Sequence, residues 1–270
     1  MSKHLIKFIS KLFPGLVASY AYQQLTSPQV RKLRDHELAI LDKADKETLA
    51  FKGFDIQLYH WPGGEKRVLL IHGWEGQAGN FSDFIEPLLA EGYSVFAFDG
   101  PSHGFSSKGS TSMFEFIELV GLLIQKFEVK RLVSHSFGGV ATTFALYDNQ
   151  DLYIDSYAMI TTPDRFSERI DDVASSAGIS NRAKNRLINR LKQEIDRDID
   201  ALNVSDFVPS INVKKALIFH DKNDKVIPIE ISRRVHENWP ASSFKEIEGT
   251  GHFRILRTPE VIDEVVAFLA

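Results

Sequence analysis

The chain has 270 residues, 43% of them hydrophobic and 25% charged, which suits one large domain with an insertion and a sizeable buried core, and excludes a disordered or membrane-embedded chain. A formal net charge of -4 gives no overall attraction to nucleic acid. With no cysteine, disulfides, thiolate metal sites and a cysteine nucleophile are excluded, an inventory that fits a reducing cytoplasm.

Residues 1–46 are expected to form an amino-terminal helical segment. In MSKHLIKFISKLFPGLVASYAYQQL, Lys3, Lys7 and Lys11 recur at four-residue spacing on one helical face, with Leu5, Phe8, Ile9 and Leu12 on the other, the pattern of an amphipathic helix. Pro14 and Gly15 break the apolar run, and Ala18-Ser-Tyr-Ala21 is a poor cleavage site, which weighs against a signal peptide. No stretch reaches the roughly 18 consecutive apolar residues of a spanning helix. The segment therefore reads as a helix packed against the body of the protein, with membrane-surface contact or a weak export signal as the alternatives.

From about Asp45, apolar runs of strand length alternate with helical patterns, the signature of an α/β fold with a mostly parallel, twisted sheet covered by helices on both faces. ETLAFKGFDIQLYHW predicts a hairpin turning near Gly53. KRVLLIHGW and YSVFAFDGPSHG hold strands buried on both faces, separated by the helix NFSDFIEPLLAEG. The helix MFEFIELVGLLIQKF, the strand KRLVSH, a helix from Gly138 and the strand SYAMITTP follow. The alternation then breaks, and residues 162–206, polar and helix-favouring, read as a helical cap inserted into a core of 47–161 and 207–270. It returns with KKALIFHDKNDKVIP, the helix IEISRRVHENW, the short strand SSFKEIEG and the closing helix PEVIDEVVAFLA.

A hydroxyl becomes a nucleophile only when a base removes its proton, and the developing oxyanion needs donors aimed at it. Ser136, after a strand and before a helix, would stand on a sharp turn at the carboxyl end of the sheet, where only small neighbours fit; Gly138 and Gly139 meet that need on the helix side. On this stretch alone Ser136 also fits a helix N-cap on an ordinary turn. Further along, HDKNDKVIP offers Asp221 and Asp224, and EGTGHFR offers His252, each at the carboxyl end of a predicted strand. Ser136, Asp224 and His252 stand in the chain order by which open α/β sheets assemble a hydrolytic triad.

These motifs resemble those of serine hydrolases of the α/β-hydrolase superfamily, esterase- or lipase-like, from about Glu47 to the end. IHGWEG matches the family's His-Gly segment, DGPSHGFSS its loop after the fourth strand, DKNDKVIP its acid segment, and GTGH its histidine motif. The acid segment selects Asp224 over Asp221. Ser134 departs from the family's G-x-S-x-G pattern, in which that position is glycine.

The resemblance implies that His252 is the general base for Ser136, that Asp224 orients the imidazole, and that the N–H groups of Phe137 and Trp74 form the oxyanion hole. No metal or organic cofactor is called for. His72 and Asp99 read as loop-ordering groups, and His103, His135 and His220 lack the spacing of metal ligands. The expected function is a serine hydrolase cleaving a carboxylic ester of a small acyl substrate through an acyl-enzyme. Thioester or carbon–carbon hydrolysis, acyl transfer or perhydrolysis would use the same side chains. A membrane-associated lipid hydrolase and a non-catalytic ligand-binding relative are the other readings.

Overall fold

A computed structural model describes residues 3–30, 32–194 and 201–270. In chain order it contains α1 (Lys3–Leu12), α2 (Pro14–Thr26), α3 (Asp35–Asp42), β1 (Asp45–Phe51), β2 (Phe54–Trp61), β3 (Lys66–Ile71), α4 (Ser82–Ala90), β4 (Tyr93–Phe98), α5 (Met113–Lys126), β5 (Arg131–His135) and α6 (Phe137–Asp148). There follow β6 (Ile154–Ile160), α7 (Phe166–Ala177), α8 (Asn181–Glu194), α9 (Val204–Phe207), β7 (Val213–Asp221), α10 (Ile229–Glu237), β8 (Ser242–Ile247), α11 (Gly251–Arg254) and α12 (Pro259–Leu269).

The eight strands form one sheet in the order β1-β2-β4-β3-β5-β6-β7-β8. The β1–β2 and β2–β4 pairs are antiparallel and the rest are parallel. The opening hairpin turns at Lys52 and Gly53, both at positive φ (46° and 82°), the twist that lets two residues join paired strands. All six residues of β4 are buried, so helices must cover both faces there. On one face Phe81, Phe84, Ile85 and Leu88 meet Val261, Ile262 and Val265 of α12 over Val68, Leu70, Val95 and Val133 of the sheet. β5 lies centrally, between β3 and β6, and the carboxyl ends of β5 and β7 and the loop after β8 point the same way.

The chain divides into two compact units, one of residues up to Ser27 with Arg165–Asn203, the other of Pro28–Asp164 with Val204–Ala270. The expected segment 1–46 is thus split. Residues 28–46 belong with the sheet, because Leu41 is buried in its core and the Ile40 carbonyl accepts from Trp61 Nε1 at 3.0 Å. Helices α1 and α2 instead pack on α7 and α8. Residues 195–200, in the expected insertion, lie outside the described residues.

Phe84 is fully buried, so Phe84→Ala should cost about 3–5 kcal/mol of stability, measured by urea denaturation.

Candidate active site

Strand β5 ends at His135 and α6 begins at Phe137, so one residue makes the whole reversal. Ser136 does so at φ 54° and ψ -125°, in the left-handed half of backbone space that side chains avoid. Tight passage of the helix past the strand fixes its neighbours. A Cβ on Gly138 would lie 2.4 Å from the Ile71 carbonyl oxygen, and one on Gly139 would lie 2.0 Å from Thr162 Oγ1. Ser134, at the position where glycine is usual, is fully buried, and its hydroxyl pairs with Tyr157 Oη at 2.7 Å. The departure is accommodated by a hydrogen bond, and the turn forms.

Ser136 Oγ lies 3.0 Å from His252 Nε2, and His252 Nδ1 lies 2.8 Å from Asp224 Oδ2. Three side chains from the ends of β5, β7 and β8 thus form one hydrogen-bonded line. Burial alone would raise the Asp224 carboxyl, but the bond to His252 and the N–H groups of Val226 and Ile227, at 2.7 and 3.0 Å from Oδ1, hold it below the ordinary range. It is therefore an anion facing Nδ1–H, which leaves Nε2 free to accept the serine proton. Ser136 is only partly buried, so a solute can reach it; the Phe253 ring packs edge-on against His252, and that of Phe137 edge-on against Trp74.

Asp221 is not in that line; it builds the loop that carries His252. Its Oδ2 accepts from Thr250 N, from Thr250 Oγ1 at 2.7 Å and from Gly251 N at 2.8 Å, and its Oδ1 accepts from Asn223 N at 2.6 Å. Burial works against the charge, yet these donors pull the carboxyl from 3.8 to about 2. His135 adds a second restraint, donating Nε2–H to the His252 carbonyl at 2.8 Å. Burial, then the neighbouring His252, push His135 down to about 3, so it stays neutral. His220 donates Nε2–H to the Ile227 carbonyl at 2.8 Å and takes a bond from Ser232 at 2.6 Å, bracing the loop after β7.

The loop after β3 is built the same way. His72 Nδ1–H donates to the Gly73 carbonyl at 2.7 Å, and Nε2 accepts from Gly100 N at 2.9 Å. Asp99 accepts from Ala78 N and Phe105 N, both at 2.8 Å, and from Tyr59 Oη at 3.0 Å. Both residues order loops, as their positions suggest. Glu75, which sequence reasoning passed over, sits at φ 61° and accepts from Gln29 N at 2.8 Å and Val30 N at 2.7 Å. Next to it Trp74 stacks edge-on against Phe137 and His103. The backbone N–H groups of Trp74 and Phe137 have no hydrogen-bond partner among the described residues. Among those residues no three His, Asp or Glu side chains group as metal ligands would.

A family profile described as Alpha/beta hydrolase family matches residues 68–265. The chain belongs to that family. It is 25% identical over 262 residues to the uncharacterized hydrolase YugF of Bacillus subtilis (strain 168), covering 80% of this chain and 94% of that one. Among solved structures, Est1E of Butyrivibrio proteoclasticus with ferulic acid bound superposes with a TM-score of 0.65 at 18% identity, over 82% of this chain and 97% of that one. A bacterial membrane phospholipase A, described as a virulence factor, gives 0.65 at 18% identity over 98% of this chain and 96% of that one. The protein is a hydrolase with the α/β-hydrolase fold.

Two predictions test this construction. Ser136→Gly and Ser136→Ala both remove the hydroxyl, but only glycine relieves the positive φ, so the glycine variant should be the more stable by about 1 kcal/mol in urea melts. Asp221→Asn should lose about 1.5–3 kcal/mol at neutral pH. Because the folded carboxyl titrates at about 2 against an ordinary 3.8, its contribution is complete above the higher value and lost as pH falls toward the lower. The gap between wild type and Asp221→Asn should therefore close on acidification.

Proposed function

We propose that this α/β hydrolase cleaves a carboxylic ester of a small acyl substrate through a covalent acyl-enzyme. The observation that carries the reading is the continuous line from Ser136 Oγ through both His252 nitrogens to Asp224 Oδ2, beside two unpartnered backbone N–H groups. In the first half-reaction Ser136 Oγ attacks the ester carbonyl carbon while His252 Nε2 takes its proton. The new oxyanion is met by the N–H groups of Phe137 and Trp74, reinforced by the amino-terminal end of α6. As the tetrahedral adduct collapses, His252 returns the proton to the leaving alkoxide, and the acyl group stays on Ser136. Water then attacks the acyl-enzyme with His252 again as base, and the acid departs with Ser136 restored. Asp224 holds the imidazole tautomer and stabilises its cationic form without itself taking the proton.

Supporting an acyl compound over a strongly polar one, Phe253 packs edge-on against the His252 ring, and Phe137, the residue after Ser136, packs edge-on against Trp74. The ferulic acid in the Est1E structure is in keeping with an aromatic acyl group. Thioesters offer the same carbonyl chemistry, and a panel that includes both separates them.

A fluorophosphonate probe should label wild type at Ser136 and leave Ser136→Ala unlabelled. On p-nitrophenyl esters of increasing acyl length, Ser136→Ala should lose roughly 10⁴-fold or more in kcat. A Ser136→Ala variant as fast as wild type would remove the proposal, and absence of both labelling and turnover in wild type would favour a binding protein.

A further inference from the structure

The unit built from α1, α2, α7 and α8 has its amphipathicity turned outward. On α1, Leu5, Phe8 and Leu12 recur at positions i, i+3 and i+7; Phe13 makes the corner; on α2, Leu16 and Tyr20 continue the face at i and i+4. These six side chains are between 46% and 71% exposed. Among the described residues of α1, Ser10 is the one fully buried, and Ile6 and Ile9 are half-buried. Ser10 is fully buried, its Oγ accepting from Ser180 N at 2.9 Å and its carbonyl from Ser180 Oγ at 2.8 Å, which fixes the rotation of the helix. A helix made for water buries its apolar stripe and exposes its hydroxyls; this one buries a hydroxyl and leaves Leu5, Phe8 and Leu12 exposed. A single exposed leucine is ordinary, but a continuous set held outward by buried hydrogen bonds marks a contact surface.

Charge identifies what it contacts. The chain is at -4 overall, yet its first 27 residues contain three lysines and no Asp or Glu. Helix α8 carries Arg182, Lys184, Arg186, Arg190 and Lys192 against one acid, Glu194, with Lys184 paired to Asp171 at 2.6 Å. Lys7 and Lys11, on the flank of the apolar face of α1, line a cavity of about 720 Å³ with Arg182 and Lys184, where Asp171 is the one acid. Exposed leucine and phenylalanine edged by cations match a bilayer with anionic headgroups. A second copy fits less well, because a two-fold contact would set Lys7 and Lys11 against their own kind. No helix among the described residues is long and apolar enough to cross a membrane, so the contact is interfacial.

We propose that the α1–α2 face docks this protein on an anionic lipid bilayer, with Phe8, Leu12, Phe13 and Leu16 entering the acyl boundary and the Lys7–Lys11 edge against headgroup phosphates. The surface acts independently of the chemistry at Ser136.

The test is co-sedimentation of the full chain with vesicles of phosphatidylcholine alone or mixed with phosphatidylglycerol. Wild type and Ser136→Ala should bind the mixed vesicles about tenfold or more above the neutral ones, and added salt should weaken that binding. Phe8→Glu with Leu16→Glu should lose about tenfold on the mixed vesicles. Lys7→Gln with Lys11→Gln should lose the preference for phosphatidylglycerol. Unchanged thermal melts by circular dichroism, and unchanged hydrolysis of a soluble p-nitrophenyl ester where wild type has it, show that the variants fold. Negligible binding to both vesicle types, or binding that neither pair alters, overturns the proposal. So does a soluble dimer that Phe8→Glu with Leu16→Glu splits while vesicles capture nothing.

Discussion

A strand that must become a helix within one residue leaves almost no volume at the crossing, and that steric limit governs the carboxyl edge of this sheet. Ser136 takes a backbone conformation that costs roughly 1–3 kcal/mol, and the cost is met by the packing around it. α6 approaches the end of β3 and the segment after β6 so closely that Gly138 and Gly139 have no substitute: the places of their missing methyl groups are taken by the Ile71 carbonyl and the Thr162 side chain. The same crowding lifts the serine hydroxyl clear of the sheet, to the one place where an imidazole from the loop after β8 can meet it.

Holding that imidazole there falls to groups that do not react. Asp221 collects four donors from Asn223, Thr250 and Gly251, His135 ties down the carbonyl of His252, and Asp99 and His72 bind the two loops on the other side of β5. Each is a buried polar group with partners among the backbone atoms of a loop, and such an arrangement is rigid because leaving any member unpaired in a low-dielectric interior costs about 1–3 kcal/mol. The rigid scaffold is thus not only the sheet but a second tier of carboxylates and neutral imidazoles at its rim.

Much of this was legible in the linear chain. The strands announce themselves as apolar runs, the hairpin by Gly53, and Ser136, Asp224 and His252 by short motifs in a fixed order, because each of those signals lies within a few neighbouring residues. What stayed hidden is non-local. Asp221 looked like the weaker of two acids until its partners, 29 and 30 residues further on, were in place. His135 reaches across 117 residues to a backbone carbonyl, a partner with no sequence identity to read. Ser134 departs from glycine because Tyr157, on the neighbouring strand, supplies a hydroxyl. The boundary after Ser27 escaped notice for a related reason: periodicity shows that α1 has two faces, but not that the one turned inward would hold a serine.

The clasp between Glu75 and the peptide N–H groups of Gln29 and Val30 sets how far the amino terminus can be trimmed. Deleting everything ahead of Pro28 leaves both donors in place. A cut only a few residues deeper removes both donors and leaves the Glu75 carboxylate, on a turn at φ 61°, without them. A stub of chain remote in sequence would in this way decide whether the loop that carries Trp74 keeps its carboxylate partnered.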